Sequence, residues 1–193
     1  MRDKVLVTIR LMLADWAGAQ MITSYNQCVS TEEHRRNAPA SVTCIVLTIS
    51  DTRTEANDTS GDAIARLLAE NGHEIRLRAL VKDEPASVQQ AIRSNLAAAQ
   101  VVITTGGTGI TSRDSTYEAI SQLLDKRIDG FGELFRALSF QEIGSAAMLS
   151  RACAGAIGRT AVFSLPGSEH AVRLAMTRLI LPEIGHVVRE LSR

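Results

Sequence analysis

The feature that most constrains the fold of this chain is a regular alternation of strand-like and helix-like segments that begins at residue 41. Residues 42–49 are a near-continuous run of apolar and β-branched side chains, which is typical of a strand buried on both faces of a parallel sheet. After a polar loop, Ile64, Leu67 and Leu68 recur at helical spacing, and Asn71-Gly72 supplies a left-handed stop.

The rest of the chain continues this alternation. Further strands are predicted at residues 74–81, 101–103 and 160–165, and further helices at residues 85–96, 115–126, 131–153 and 168–192. Two helix starts have capping-box spacing, Thr59 with Asp62 and Ser115 with Glu118. Strands that alternate with helices predict an α/β fold with a mainly parallel sheet, in which the carboxyl ends of the strands and any ligand lie along one edge.

Composition and charge exclude several classes of protein. The 193 residues include 21 basic and 21 acidic side chains, and a net charge of zero argues against a basic nucleic-acid surface. No apolar run approaches the roughly 20 residues needed to cross a bilayer, so no membrane span is expected. Cys28, Cys44 and Cys153 are far apart and form no CxxC pair, as expected of free thiols in a reducing compartment. We therefore predict a cytoplasmic protein.

Residues 1–40 lack a consistent period and are predicted to be an irregular N-terminal extension of a domain at residues 41–193. The first 19 residues weakly resemble a signal peptide, but Arg10 and Asp15 interrupt the apolar stretch, which argues against export. Met12 and Met21 are in-frame alternatives, so the interpretation that part of this segment is a mis-called start stays open.

A glycine-rich loop, Thr105-Gly106-Gly107-Thr108-Gly109, directly follows the third predicted strand. Consecutive glycines allow backbone N–H groups to converge on an anion without a Cβ in the way. The loop matches neither the dinucleotide-binding nor the P-loop fingerprint. Taken alone, it is equally consistent with a phosphate cradle and with a tight structural turn.

Two acidic residues lie at neighbouring predicted strand ends, on either side of the glycine loop. Asp83 follows the second strand, and Asp114 precedes the helix that comes after the loop. Each could be a helix-capping or helix-dipole acid. Mg²⁺ commonly binds one or two carboxylates together with substrate phosphates. Because the two carboxylates lie beside a candidate phosphate loop, we favour a metal–phosphate site.

Seven segments, in order along the chain, carry a resemblance more specific than any one loop. They are Asp58-Thr59-Ser60-Gly61, Val81-Lys82-Asp83-Glu84, Thr105-Gly106-Gly107-Thr108-Gly109, Arg113-Asp114, Gly130-Phe131-Gly132-Glu133, Ala147-Met148-Leu149-Ser150-Arg151 and Leu165-Pro166-Gly167-Ser168. Together they resemble the molybdenum cofactor biosynthesis protein B family, which is related to the molybdopterin adenylyltransferases. The resemblance runs from about residue 35 to the C-terminus.

The resemblance implies a three-layer α/β/α, molybdopterin-binding-like domain that forms trimers or hexamers and binds molybdopterin and Mg-ATP. In active members of the family, aspartates at the positions of Asp83 and Asp114 are required for adenylyl transfer, and some B-type members replace the first with Glu. Both aspartates are present here. The segment Pro166-Gly167-Ser168 departs from the Pro-Gly-Asn or Pro-Gly-Gln of other branches.

The implied reaction is attack of the terminal phosphate of molybdopterin on the α-phosphate of ATP, with release of pyrophosphate. Asp83 and Asp114 are then the catalytic and Mg²⁺-binding residues. The implied cofactor-binding residues are Thr59, Ser60, Gly61, Thr105, Gly106, Gly107, Thr108, Gly109, Ser150, Arg151, Pro166, Gly167 and Ser168. Two alternatives stay open: a non-catalytic molybdopterin-binding paralog, and a nucleotide-binding oxidoreductase, against which the missing GxGxxG motif argues.

Overall fold

Strands and helices alternate along the chain as the sequence pattern predicts. The computed structural model describes residues 36–111 and 114–193. Two parts of the chain lie outside the described residues: the predicted extension up to residue 35, which includes Met12 and Met21, and the pair Ser112 and Arg113.

The strands are β1 Thr43–Ile49, β2 Glu74–Val81, β3 Val101–Thr105, β4 Lys126–Arg127, β5 Cys153–Ile157 and β6 Thr160–Leu165. The α-helices are α1 Thr59–Glu70, α2 Pro85–Asn95, α3 Thr116–Ser121, α4 Asp129–Ile143, α5 Glu169–Ala175 and α6 Leu181–Leu191.

Among the described residues these six strands form one sheet in the order β2-β1-β3-β6-β5-β4. The first four strands in this order are parallel to one another, whereas β5 pairs antiparallel with β6 and with β4. Parallel strands point their carboxyl ends toward the same edge. The loops that follow β1, β2, β3 and β6 therefore lie at one edge of the sheet.

Helices cover both faces of the sheet, which explains the near-continuous apolar character of β1. Cys44 and Val46 pack on one face with side chains of α1, α4, α5 and α6, while Ile45 and Leu47 pack on the other with α2 and α3. Burial on both faces is the arrangement expected of parallel strands. The predicted three-layer α/β/α fold is confirmed.

Two details of the helix starts differ from the prediction. The N-cap of α1 is Asp58, whose carboxylate accepts a hydrogen bond from the backbone N–H of Gly61 at 3.0 Å, so the proposed capping box of Thr59 with Asp62 is wrong. Ser115 is the N-cap of α3 but makes no side-chain capping bond. The carboxylate of Glu118 instead pairs with Arg151.

The predicted helix at 131–153 is wrong in its second half. Helix α4 ends at Ile143, because Gly144 has a φ of 62° and cannot continue a right-handed helix. A 3₁₀ helix, Gly144–Leu149, then leads into β5. The composition of β5 does not favour a strand, but its pairing with β4 requires a glycine at position 155, since a Cβ there would collide with the carbonyl of Lys126.

The other two long helix predictions also change. The helix predicted at 115–126 ends at Ser121, and β4 occupies Lys126–Arg127. The helix predicted at 168–192 consists of α5 and α6 joined by a π-helical turn, Met176–Ile180, just before Pro182. Proline lacks the N–H that would continue the α-helical pattern. Along the two described ranges, no helix combines the length and the apolar composition of a membrane span.

Candidate functional site

The loops at the carboxyl edge of the sheet are joined to one another by hydrogen bonds. The backbone N–H of Gly106 donates to the carbonyl of Leu165 at 3.1 Å, and the hydroxyl of Thr105 donates to the carbonyl of Pro166 at 2.9 Å. These bonds join the glycine loop after β3 to the loop after β6. Thr105, which is fully buried, therefore holds the two loops together.

The glycine loop can adopt its path only because three positions lack a side chain. Gly106 has a φ of 102° and Gly107 a φ of 64°, and L-residues rarely adopt this region. A Cβ at Gly106 would overlap the carbonyl of Ile49, and a Cβ at Gly107 would lie 2.7 Å from an oxygen of Asp83. A Cβ at Gly109 would lie 2.5 Å from an oxygen of Asp114. The two predicted carboxylates therefore lie directly against the loop.

Asp83 is held beside the glycine loop by hydrogen bonds with Thr116 and Asp51. Its Oδ1 accepts a hydrogen bond from the hydroxyl of Thr116 at 2.9 Å, and its backbone N–H donates to the carboxylate of Asp51 at 3.1 Å. The backbone N–H of Thr116 also donates to the carbonyl of Gly107 at 3.2 Å. Thr116 thus bridges Asp83 to the loop.

Asp114 is held in its ionised form by the residues that precede it. The hydroxyl of Thr111 donates to Oδ2 at 2.5 Å and its backbone N–H donates to the same atom at 2.9 Å. The hydroxyl bond is the main cause of a lowered pKa, and the positive charge of Arg151 adds to it. Asp114 is therefore a carboxylate at neutral pH.

The guanidinium of Arg151 fastens the glycine loop to the following helix. It donates to the carbonyls of Thr108 at 3.1 Å and of Asp114 at 3.2 Å, and also to the carbonyl of Gly109. It forms an ion pair with Glu118 as well. Because its donors are directed at backbone carbonyls, Arg151 shapes the loop.

A pocket of about 380 Å³ opens between these loops and α4. The structure brings nine of the predicted binding residues together on its polar side: Gly106, Gly107, Thr108, Gly109, Asp114, Ser150, Pro166, Gly167 and Ser168. The remaining predicted site residues do not line it: Thr59, Ser60, Gly61, Asp83, Thr105 and Arg151. Asp83 and Arg151 nevertheless contact the residues that do.

The predicted donors at the start of α1 are used within the protein. The hydroxyl of Ser60 and the backbone N–H of Gly61 both donate to the buried carboxylate of Asp58, at 3.3 and 3.0 Å. Arg53 donates to the hydroxyl of Ser60 at 3.0 Å and to the carbonyl of Gly167 at 2.8 Å. This cluster therefore supports the loop after β6 from behind.

The opposite wall of the pocket is the part that the sequence analysis missed. It is formed by Phe135, Ser139, Ile143, Ala146 and Leu149, with Ala171 beside them. Phe135, Ser139 and Ile143 recur every fourth residue along α4, a spacing that marks one helix face. That signal was available, but it does not show whether such a face covers the core or a cavity.

Metal-ligating and nucleophilic groups are few in this region. Among the residues that the structure describes, no group of three or more His, Cys, Asp or Glu side chains could hold a metal ion by itself. Burial raises the pKa of the Cys44 thiol to about 12 and also raises the pKa of Cys153. Both thiols are therefore neutral and poorly nucleophilic at pH 7.

A family model described as a probable molybdopterin binding domain matches residues 45–186. This match spans most of the sheet and every residue that lines the pocket. The chain belongs to the molybdopterin-binding domain family.

Relatives of this molybdopterin-binding domain cover most of the chain. The molybdenum cofactor biosynthesis protein B of Bacillus cereus is 55% identical over 168 residues, which are 86% of this chain and 99% of the relative. A solved structure of a molybdenum cofactor biosynthesis protein B is 57% identical with a TM-score of 0.79, and the match covers 81% of this chain and 99% of that one. The tungsten cofactor synthesizing protein of Pyrococcus furiosus is 39% identical with a TM-score of 0.73, over 81% and 100% of the two chains. The resemblance inferred from the loop residues is confirmed.

Proposed function

We propose that this protein acts in molybdenum cofactor biosynthesis by binding molybdopterin and transferring the adenylyl group of Mg-ATP to its terminal phosphate. The observation that carries the proposal is the glycine loop with Asp83 against Gly107 and Asp114 against Gly109, beside a pocket of about 380 Å³. The similarity to molybdenum cofactor biosynthesis proteins and to a molybdopterin binding domain supports a pterin as the substrate.

The glycine loop is suited to holding phosphate groups. The backbone N–H groups of Gly107 and Thr108 donate to no described residue, although Thr108 is buried. Buried backbone donors are nearly always paired. A phosphate oxygen would supply the missing acceptors, because successive backbone N–H groups in a turn form an anion-binding concavity.

The donor set beside the loop fits a magnesium ion that arrives with ATP. Mg²⁺ commonly binds one or two carboxylates together with substrate phosphates and waters, and here Asp83 and Asp114 would hold it. When bound, Mg²⁺ neutralises the negative charge of the reacting phosphates. Two carboxylates without a third protein ligand agree with a metal that the nucleotide helps to hold.

The proposed reaction requires little covalent chemistry from the protein. An oxygen of the pterin phosphate forms a bond to the α-phosphorus of ATP, the bond from that phosphorus to the bridging oxygen breaks, and pyrophosphate leaves with the electron pair. The phosphate of the pterin is the nucleophile, so the reaction needs no nucleophilic side chain from the protein. The neutral thiols of Cys44 and Cys153 are therefore compatible with it. The protein contributes positioning and stabilisation of charge through the amides of the loop.

The decisive experiment follows adenylylated pterin and pyrophosphate after purified protein is mixed with molybdopterin and Mg-ATP. We expect Asp83→Asn and Asp114→Asn each to lower the rate by about 100-fold or more while the fold stays intact, a loss typical of a removed electrostatic group in an active site. Asp129→Asn is the matched control, because Asp129 is an exposed carboxylate outside the pocket, and it should leave the rate unchanged.

The outcomes separate the proposal from its alternative. Tight molybdopterin binding without adenylyl transfer would identify a non-catalytic pterin-binding paralog. Near-normal turnover of either aspartate variant at saturating Mg²⁺ would show that the metal assignment is wrong. We further propose a cytoplasmic homotrimer or homohexamer; the buried free thiols of Cys44 and Cys153 support the reducing compartment.

A further inference from the structure

The wall of the pocket opposite the glycine loop is apolar and only partly covered. It consists of α4 residues and of the 3₁₀ helix that follows. Phe135 is buried, but Ile143 and Leu149 are 53% and 52% exposed although they line the pocket. Exposed apolar side chains at a cavity indicate a surface that a ligand covers.

Ser139 is the one polar side chain that α4 contributes to this wall. It lies one helical turn from both Phe135 and Ile143, and only 4% of its surface is exposed. Its hydroxyl forms no hydrogen bond with any described residue, not even with the carbonyl of Phe135 one turn earlier, where helical serines commonly bond. The hydroxyl oxygen is not one of the fully buried, unpartnered side-chain atoms of the described residues, so it keeps access to the cavity. A hydroxyl at a pocket surface that is not bonded within the protein can bond a ligand.

The two hydroxyl oxygens that are fully buried without a partner, among the described residues, provide a contrast. Thr104 and Ser164 also lack partners, but they lie side by side in the middle of the sheet and neither lines the pocket. Ser139 differs because its side chain lies at the cavity surface, where an incoming group can reach it. Its unsatisfied hydroxyl is therefore available to a ligand.

We infer that Ser139 is a specificity-determining residue that hydrogen-bonds a nitrogen or oxygen on the edge of a heterocyclic ring in the substrate. The flat face of the ring lies on the exposed side chains of Ile143 and Leu149, and the phosphate of the same molecule lies at the glycine loop. Fused nitrogen heterocycles combine apolar faces with polar edges, which is the combination that this wall presents. The inference rests on the proposed function, whose two substrates, a pterin and an adenine nucleotide, both contain such a ring.

The test compares Ser139→Ala with Ser145→Ala, an exposed serine outside the pocket. Dissociation constants for molybdopterin, Mg-ATP and inorganic pyrophosphate are measured on all three proteins, together with their Tm values. We expect Ser139→Ala to weaken one ring-bearing ligand by about 3- to 10-fold, the size of one net hydrogen bond. Pyrophosphate, which has no ring, should bind equally to all three, and the Tm should not fall because no internal bond is lost.

The weakened ligand also shows which ring occupies the wall: a loss confined to molybdopterin assigns the wall to the pterin, and a loss confined to Mg-ATP assigns it to the adenine. Unchanged affinity for both ligands would overturn the inference while leaving the proposed function standing. A parallel loss of pyrophosphate affinity would also overturn it, because it would show a general disturbance of the pocket. If the unaltered protein binds neither molybdopterin nor Mg-ATP, the proposed function fails first and the inference fails with it.

Discussion

Asp58 shows how a single side chain can organise loops from several elements. Its buried carboxylate accepts hydrogen bonds from Thr48 of β1 at 2.7 Å and from Arg78 of β2 at 2.8 Å. Arg53 pairs with the same carboxylate at 3.5 Å and reaches on to the carbonyl of Gly167 beside the pocket. Burial alone would raise the pKa of Asp58, but the bonds from Arg78, Thr48 and Gly61 outweigh it, and the pKa is lowered.

We predict that Asp58→Asn lowers the free energy of unfolding at pH 7 by about 2–4 kcal/mol, because it leaves two guanidinium groups without their shared carboxylate. A carboxyl whose folded pKa is lowered stabilises the protein fully above its unfolded pKa of about 3.9. That contribution disappears as the pH falls through the folded pKa. Urea unfolding of both proteins between pH 7 and pH 2 should therefore show a difference that shrinks below about pH 4.

Asp62→Asn is the control for this measurement. Asp62 also pairs with Arg78, but its side chain is 60% exposed, and exposed ion pairs contribute only about 0–1 kcal/mol. An equally large loss for Asp62→Asn, or a difference for Asp58→Asn that persists unchanged at pH 2, would contradict the proposed role of the buried carboxylate.

At the scale of elements, the sequence predicts best where local pattern and tertiary environment agree. The apolar run of β1 is the local pattern expected of a parallel strand that is covered on both faces. The glycines after β3 are the residues that the backbone path of this loop requires. The segment Cys153–Ile157 is different, because its small side chains carry no strand preference and its pairing with β6 and β4 makes it a strand. The position of Ser139 at a pocket could not be predicted for a similar reason. Its spacing marks a helix face, but the cavity opposite that face is formed by the loops that follow other strands.

The glycine loop itself offers a prediction at this scale. Gly107→Ala should destabilise the fold by about 1–3 kcal/mol, since alanine disfavours the φ of 64° and its Cβ would lie 2.7 Å from Asp83. The same variant should also lose affinity for pyrophosphate, because the loop must shift away from Asp83 and from the hydroxyl of Thr116, which the added Cβ would overlap. Gly130→Ala is the matched control: no atom lies within 4 Å of its added Cβ, and Gly130 is in the first turn of α4. Thermal unfolding and pyrophosphate titration of both variants check the expectation, and equal behaviour would refute it.

At the scale of the whole molecule, α4 has two roles that the sequence analysis did not separate. Its aromatic side chains divide between these two roles. Phe131 and Phe135 are in the core, where Phe131 packs against Phe163 with ring centroids 5.4 Å apart. Phe140 is 62% exposed, and Met148 in the following 3₁₀ helix is 77% exposed. The buried side of α4 therefore builds the fold and the pocket wall, and its other side leaves apolar surface uncovered.

This exposed surface leads to a prediction about assembly, which the resemblance to the molybdenum cofactor biosynthesis protein B family also implies. We expect the protein to form trimers or hexamers at micromolar concentration, and Phe140→Asp to shift it to smaller species, because a charge at an apolar contact must be desolvated without a partner. Leu77→Asp is the control. Leu77 is a partly exposed leucine on the edge strand β2, whereas α4 directly follows the opposite edge strand, β4. Its substitution should leave the assembly unchanged. Light scattering on the three proteins measures the mass directly. A monomeric unaltered protein would refute the assembly itself, whereas a Phe140→Asp variant of unchanged mass would move the contact to another surface of the chain.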